Sequence, residues 1–252
     1  MSSSNSVQPG QVRAVFLDAA NTLLRATPPV SQRYAATAAA FGVTVDARSI
    51  TAAFRALWPT QREKRSRLLH QASEEATFGF WFDVITQIFA PWHEQFTDFE
   101  AFARKLYLDF ADPSAWALFD DVRPCIDALR DRGLTLALVS NWDMHLRPIL
   151  QGLDLARCFD HLSISAELGV EKPNPAIFND ALQALALEPG QVLHIGDTYS
   201  EDIVGARAAG LWAVHLKRSS SSLGGPVPQF TDGVATLCSL AQVEVLLDRR
   251  QN

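Results

Sequence analysis

Several polar residues of this chain share one placement. Asp18 closes the apolar run 12–18, Ser140 and Asn141 stand at the end of the run 134–140, Asp197 closes the run 191–197, and Lys172 lies in the loop after 161–165. In an open parallel sheet, ligands bind in the crevice outside the carboxyl ends of the strands, so such residues converge although they are far apart in sequence. Two carboxylates at adjacent strand tips repel one another unless a cation lies between them, and oxygen ligands beside a phosphate are what magnesium prefers. A hydroxyl, an amide and an ammonium around that point would complete a phosphate cradle. Taken singly, each residue also has a structural reading. Asp197 and Asp202 serve as helix caps, Ser140, Asn141 and Asp143 as partners for free amides ahead of the next helix, Thr22 as a turn closure and Lys172 as a loop lysine. The combination favours a site.

The elements that would position these groups are legible as five β-branched or aliphatic runs, 12–18, 134–140, 161–165, 191–197 and 211–216, each expected as a buried strand. From the second onward they alternate with helical patterns at 122–132, 144–152, 175–187 and 200–209, the signature of a parallel sheet with crossover helices. The fold class expected is α/β, a doubly wound parallel sheet (Rossmann-like core) with an inserted all-α helical cap domain. The insertion, 27–113, has helical periodicity at 30–41, 47–58, 74–89 and 99–110, and prolines 28, 29 and 113 mark its edges. Residues 11–26 and 114–252 would then form the core. The small polar residues 1–10 read as a flexible tail, and a Ser-rich loop after Lys217 should precede a final helix over 234–247. Aromatic residues of the insertion, among them Trp58, Phe80, Trp81 and Phe89, are expected to pack its helices, because aromatics at helical spacing usually bury themselves.

Composition narrows the function. With 252 residues, 48% hydrophobic and 20% charged, the chain can bury a sizeable core. A net charge of −6 and a pI near 5.5 argue against a broad nucleic-acid or anionic-membrane surface. Cys125, Cys158 and Cys238 are odd in number and widely spaced, which suits a reducing cytoplasm better than a disulfide framework. No run approaches the roughly 20 apolar residues that span a bilayer.

Four segments carry a resemblance. FLDAANTLL (16–24), LALVSN (136–141), EKPNPAIF (171–178) and HIGDTYSEDIVGARAAG (194–210) resemble, in order, the four motifs of the haloacid dehalogenase-like superfamily. The insertion between the first two is similar to the helical cap of its first subclass. FWFDVITQIF (80–89), LYLDFADPSAW (106–116) and VSNWD (139–143) resemble most the group of haloacid dehalogenase-like hydrolase domain-containing protein 3. The resemblance implies that Asp18 attacks phosphorus and forms an aspartyl-phosphate. It implies Mg²⁺ held by Asp18, the Ala20 carbonyl and Asp197, with Asp202 supporting the metal's waters. Thr22, Ser140 and Asn141 would serve the substrate, Lys172 would neutralise charge, and the cap would close over a small phosphorylated molecule.

One position departs from that pattern. Phosphatases of this kind have a second aspartate two residues after the nucleophile, which protonates the leaving alkoxide; here it is Ala20, with Asn21 in the usual glycine position and Thr22 fixing the register. A general acid/base contributes typically about 10²- to 10⁴-fold in rate. A slow or unusual phosphatase, favouring substrates whose leaving group is already acidic or borrowing an acid such as His70 or His93 from the cap, is the first reading. A phosphonate carbon–phosphorus hydrolase using Lys64 or Lys105 as a Schiff base, a haloacid dehalogenase, and a phosphate-binding regulatory protein are the others.

Overall fold

The computed structural model describes residues 9–68, 73–218, 229–231 and 234–248. The expected tail up to residue 8, the Ser-rich stretch 219–228 and His70 lie outside these residues. Strand β1 (Ala14–Leu17) turns into β2 (Leu24–Ala26), followed by α1 (Val30–Ala40), α2 (Ala47–Leu68), α3 (Glu74–Phe89), α4 (Phe99–Ala111) and β3 (Trp116–Leu118). Then come α5 (Val122–Asp131), β4 (Thr135–Ser140), α6 (Leu146–Gly152), β5 (His161–Ile164), α7 (Ser165–Leu168), α8 (Pro175–Ala184) and β6 (Val192–Gly196). The chain continues through α9 (Val204–Ala208), β7 (Trp212–Leu216), β8 (Gln229–Thr231), β9 (Val234–Leu237) and α10 (Val243–Leu247).

The main sheet has the order β5-β4-β1-β6-β7-β9-β8, parallel throughout except for the antiparallel β8–β9 pair. Every residue of β1 and β6 is buried, because helices cover both faces of such a sheet; this is why these strands read as continuous apolar runs. On one face Phe16, Val139, Ile177, Phe178 and Ile203 pack together. The helix expected over 234–247 is corrected: Val234–Leu237 extends the sheet, with Val214 opposite Ala235, and α10 begins only at Val243. A short apolar run does not distinguish strand from helix by period, and tertiary pairing decided it. The helical pattern at 200–209 opens as a π-helical turn, Tyr199–Ile203, before α9.

The described residues fall into two compact units. One contains those up to Arg25, Leu118–Asn141 and those from Leu155; the other contains Ala26–Ala117 and Trp142–Asp154, so that α6 groups with the helices. In the helical unit, Ser73 and Asp98 cap α3 and α4 by accepting from the Ala76 and Ala101 amides, and α2 continues past Pro59, beyond the stretch 47–58. Its core is aromatic. Phe89 and Phe102 meet edge to face at 4.8 Å between centroids, and Trp81, Phe82 and Trp92 pack against the same cluster.

Candidate active site

Asp18 directly follows β1, the strand between β4 and β6, and the parallel register sets Leu17 beside both Leu138 and Ile195. The Asp18 amide donates to the Ile195 carbonyl at 3.0 Å. Ser140 and Asp197 therefore stand at strand tips on either side of Asp18. Ser140 Oγ donates a long hydrogen bond of 3.4 Å to Asp18 Oδ1.

Lys172 links the group. Its Nζ donates to Asp18 Oδ1 at 2.7 Å and to Asp202 Oδ1 at 2.6 Å, and the residue is only 1% exposed. A buried ammonium is costly unless paired, and here two carboxylates pair it. Burial alone would lower its pKa, but the charges of Asp18 and Asp202 outweigh that and raise it, so Lys172 is held protonated. Asp18 shows the opposite balance: burial raises its pKa, and Lys172 only partly offsets the rise. Asp202, despite burial, is held below the usual carboxylate range by Lys172 and His194.

Asp197 has the weakest cationic support. Burial, and after it the charges of Asp18 and Asp202, push its carboxyl up to about 7. Ligand oxygens of Asp18, Asp197 and Asp202 all lie within 4.8 Å of one another. Were all three ionised, one ammonium would leave two negative charges uncompensated, the deficit a divalent cation matches; without such an ion, the rise of the Asp197 and Asp18 pKa values relieves it.

Asp202 and Asn141 have further engagements that the sequence does not reveal. Asp202 Oδ1 also faces His194 Nε2 at 3.0 Å, and its Oδ2 accepts from the Thr198 amide at 2.8 Å, a contact formed across the π-helical turn. A side chain at Gly196 would run into this carboxylate, so the glycine before Asp197 makes room for it. Asn141 clamps the Lys172 loop: Nδ2 donates to the Lys172 carbonyl and to Glu201, both at 2.9 Å, while Oδ1 accepts the Lys172 amide at 2.7 Å. Its amide is thus engaged by protein at every donor. His194 stands outside the residues expected at the site, although a histidine inside the buried run VLHIG signals an obligatory partner.

Thr22 is fully buried, and its Oγ1 has no hydrogen-bond partner among the described residues. Asn21 has φ +55°, the left-handed conformation that suits glycine best and asparagine next, which accounts for the residue at this turn. In the helical unit, His93 meets the Phe99 ring at a tilt and pairs with Glu94, Lys105 pairs with Asp109 one turn along α4, and Lys64 is exposed.

The profile of the haloacid dehalogenase-like hydrolases matches residues 12–210. The chain is 36% identical over 207 residues to haloacid dehalogenase-like hydrolase domain-containing protein 3 of Bos taurus, covering 80% of each protein. It is 36% identical over 110 residues to phosphoserine phosphatase of Thermus thermophilus, covering 43% of this chain and 44% of that one. Among solved structures, a dehalogenase superposes with a TM-score of 0.70 at 22% identity, covering 95% of this chain and 98% of the other, which speaks for the fold alone. With the family profile matching 12–210 and 36% identity over four-fifths of each protein, the chain belongs to the haloacid dehalogenase-like hydrolase family.

Proposed function

We propose that this hydrolase is a magnesium-dependent phosphatase of small phosphorylated molecules, working through an aspartyl-phosphate on Asp18 and slowed by Ala20. The observation that carries the reading is the buried Lys172 ammonium on Asp18 Oδ1, beside two further carboxylates. The likeness to a phosphoserine phosphatase supports it.

Among the described residues Ser140 and Lys172 donate to Asp18 Oδ1, so Oδ2 is the oxygen proposed to attack phosphorus. As that bond forms, the ester P–O bond breaks and the leaving oxygen takes the electron pair. Water then attacks the aspartyl-phosphate, releasing inorganic phosphate and restoring the carboxylate. Lys172 favours the ionised form of Asp18 against the effect of burial and offsets charge on the transferring group, while Ser140 and the loop amides orient it. Asp18, Asp197 and the Ala20 carbonyl would hold Mg²⁺, with Asp202 supporting its waters. The ion supplies positive charge to the phosphoryl oxygens.

Asn141 and His194 act at one remove, the first by fixing the Lys172 backbone and the second by fixing Asp202. Ala20 has no proton to give, so leaving groups that are already acidic, as in acyl and aryl phosphates, should turn over faster than alkyl esters. The odd number and wide spacing of Cys125, Cys158 and Cys238 suit a cytoplasmic setting better than a disulfide framework; among the described residues no helix is long and apolar enough to cross a membrane.

The test is hydrolysis of alkyl, aryl and acyl phosphates and phosphonates with Mg²⁺ by wild type, Asp18→Asn and Ala20→Asp. Turnover lost in Asp18→Asn, and alkyl-ester turnover raised by roughly 10²-fold or more in Ala20→Asp, is expected. An inert wild type beside an active Ala20→Asp would favour the second reading, a phosphate-binding protein whose site is disarmed at Ala20.

A further inference from the structure

We propose that Arg218, held by Asp121, is a positioning residue that fixes the backbone turn 19–24 behind Asp18. The inference rests on reading Asp18 as the nucleophile, because its carboxylate can be aimed only as well as the turn that follows it. Within that turn the Leu23 and Leu24 amides donate to the Ala19 carbonyl at 2.8 and 2.9 Å, and the Asn21 amide donates to the Leu24 carbonyl at 2.8 Å. The Asn21 and Thr22 carbonyls are gripped from outside. Arg218 Nε donates to both at 3.1 Å, and Nη2 donates to Thr22 O at 2.6 Å. The next carbonyl, Leu23 O, accepts from the Phe119 amide at 3.1 Å.

The other edge of the guanidinium is equally fixed. Nη1 and Nη2 donate to the two oxygens of Asp121 at 3.0 and 2.9 Å, and the guanidinium carbon lies 3.7 Å from the Phe119 ring centroid. Asp121 also accepts from Ser239 Oγ at 2.6 Å and from the Leu240 amide at 2.8 Å. The pair is largely buried, with side chains 15% and 16% exposed. A planar fork held on two edges and one face loses little freedom when it orders a loop, which an ammonium on a flexible stem cannot match. Arg218 follows β7, and the Lys217 amide donates to Leu237 O at 2.7 Å, so the grip is anchored in the sheet on the far side of β6 from β4.

The test compares full-length wild type, Arg218→Met, Arg218→Lys and, as control, Arg132→Met, which removes another forked arginine–aspartate pair, that with Asp248. Amide hydrogen exchange and steady-state kinetics are read together. In Arg218→Met, exchange at Leu23 and Leu24 should rise about tenfold or more while β4 and β5 amides keep wild-type rates. Its kcat should fall by roughly 10- to 100-fold with KM near wild type, as expected when a reacting group is misaimed while substrate binding is left intact. Arg218→Lys should recover part of kcat, and Arg132→Met should match wild type in both readouts. Unchanged turn exchange in Arg218→Met, or a uniform acceleration through the whole sheet, would overturn the proposal. If Arg218→Met does not fold, Asp121→Asn takes the same readouts with the same expectations. If no phosphate ester is hydrolysed even by Ala20→Asp, the phosphatase reading fails on its own, and the exchange rates still decide whether Arg218 holds the turn.

Discussion

Lys172 and Asp202 form an ion pair of 2.6 Å in which each side chain is only 1% exposed. The same ammonium reaches Asp18, so the charge that steadies the proposed nucleophile is itself steadied by a second carboxylate, and neither is free to swing into water. Asp202 is therefore a holder of Lys172, whatever it adds to the proposed metal site.

Removing one member of such a buried pair leaves the other charge uncompensated, at a cost of about 3 to 5 kcal/mol. Lys172→Met leaves Asp18 and Asp202 facing one another, and its urea midpoint should fall accordingly, with turnover lost. A wild-type midpoint in Lys172→Met would mean that the pair contributes nothing to folding.

The carboxylates of Asp18, Asp197 and Asp202 lie close enough together to hold a dication, which is the role proposed for them. Binding to the folded state alone stabilises it, by about 2.7 kcal/mol when the ion is at a hundred times its dissociation constant. Wild type should gain melting temperature as MgCl₂ is raised at constant ionic strength, and Asp197→Asn should gain far less. Equal gains in the two proteins would remove Asp197 from the ligand set.

Asn21 permits a separate check on the turn behind the nucleophile. At φ +55° a Cβ costs roughly 1 to 2 kcal/mol relative to glycine, and asparagine lowers that by local hydrogen bonding. Asn21→Gly should leave stability within about 0.5 kcal/mol of wild type, while Asn21→Ala should lose about 1 kcal/mol. Equal stabilities for Gly and Ala at this position would show that the backbone relaxes out of the left-handed region.

The residues at the strand tips are legible because a parallel sheet puts the ends of its strands in one place, and because Asp18, Lys172 and Asp202 each stand in a recognisable motif. Asp18 and Lys172 meet across 154 positions, yet the topology alone brings them near. What escapes is the support. Asn141 stands where a phosphate ligand is expected, but which groups an amide engages depends on a loop far along the chain. His194, Asp121 and Arg218 owe their roles to side-chain directions that spacing does not encode. The strand at Val234–Leu237 is hidden because four residues, three of them apolar, beside a helical stretch have no period of their own.

Within the helical unit, His145 offers a pH dependence whose sign can be worked out. Its Nδ1 lies 3.0 Å from Asp143 Oδ1 and its Nε2 3.3 Å from Glu74 Oε2, with the Tyr107 ring packed against the imidazole. The Asp143 hydrogen bond chiefly, and then the charges of Asp143 and Glu74 against an opposing effect of burial, raise the His145 pKa above its ordinary value. The folded protein therefore binds this proton more tightly than the unfolded chain, whose histidine titrates near about 6.5. The resulting stabilisation is fully present below that pH and disappears as pH rises through the higher folded value. His145→Gln should lose it at low pH and converge on wild type at high pH, so the gap between their melting temperatures should close as pH is stepped from about 5 to 9. A gap that stays constant across the series would mean that His145 gains nothing from its carboxylates on folding.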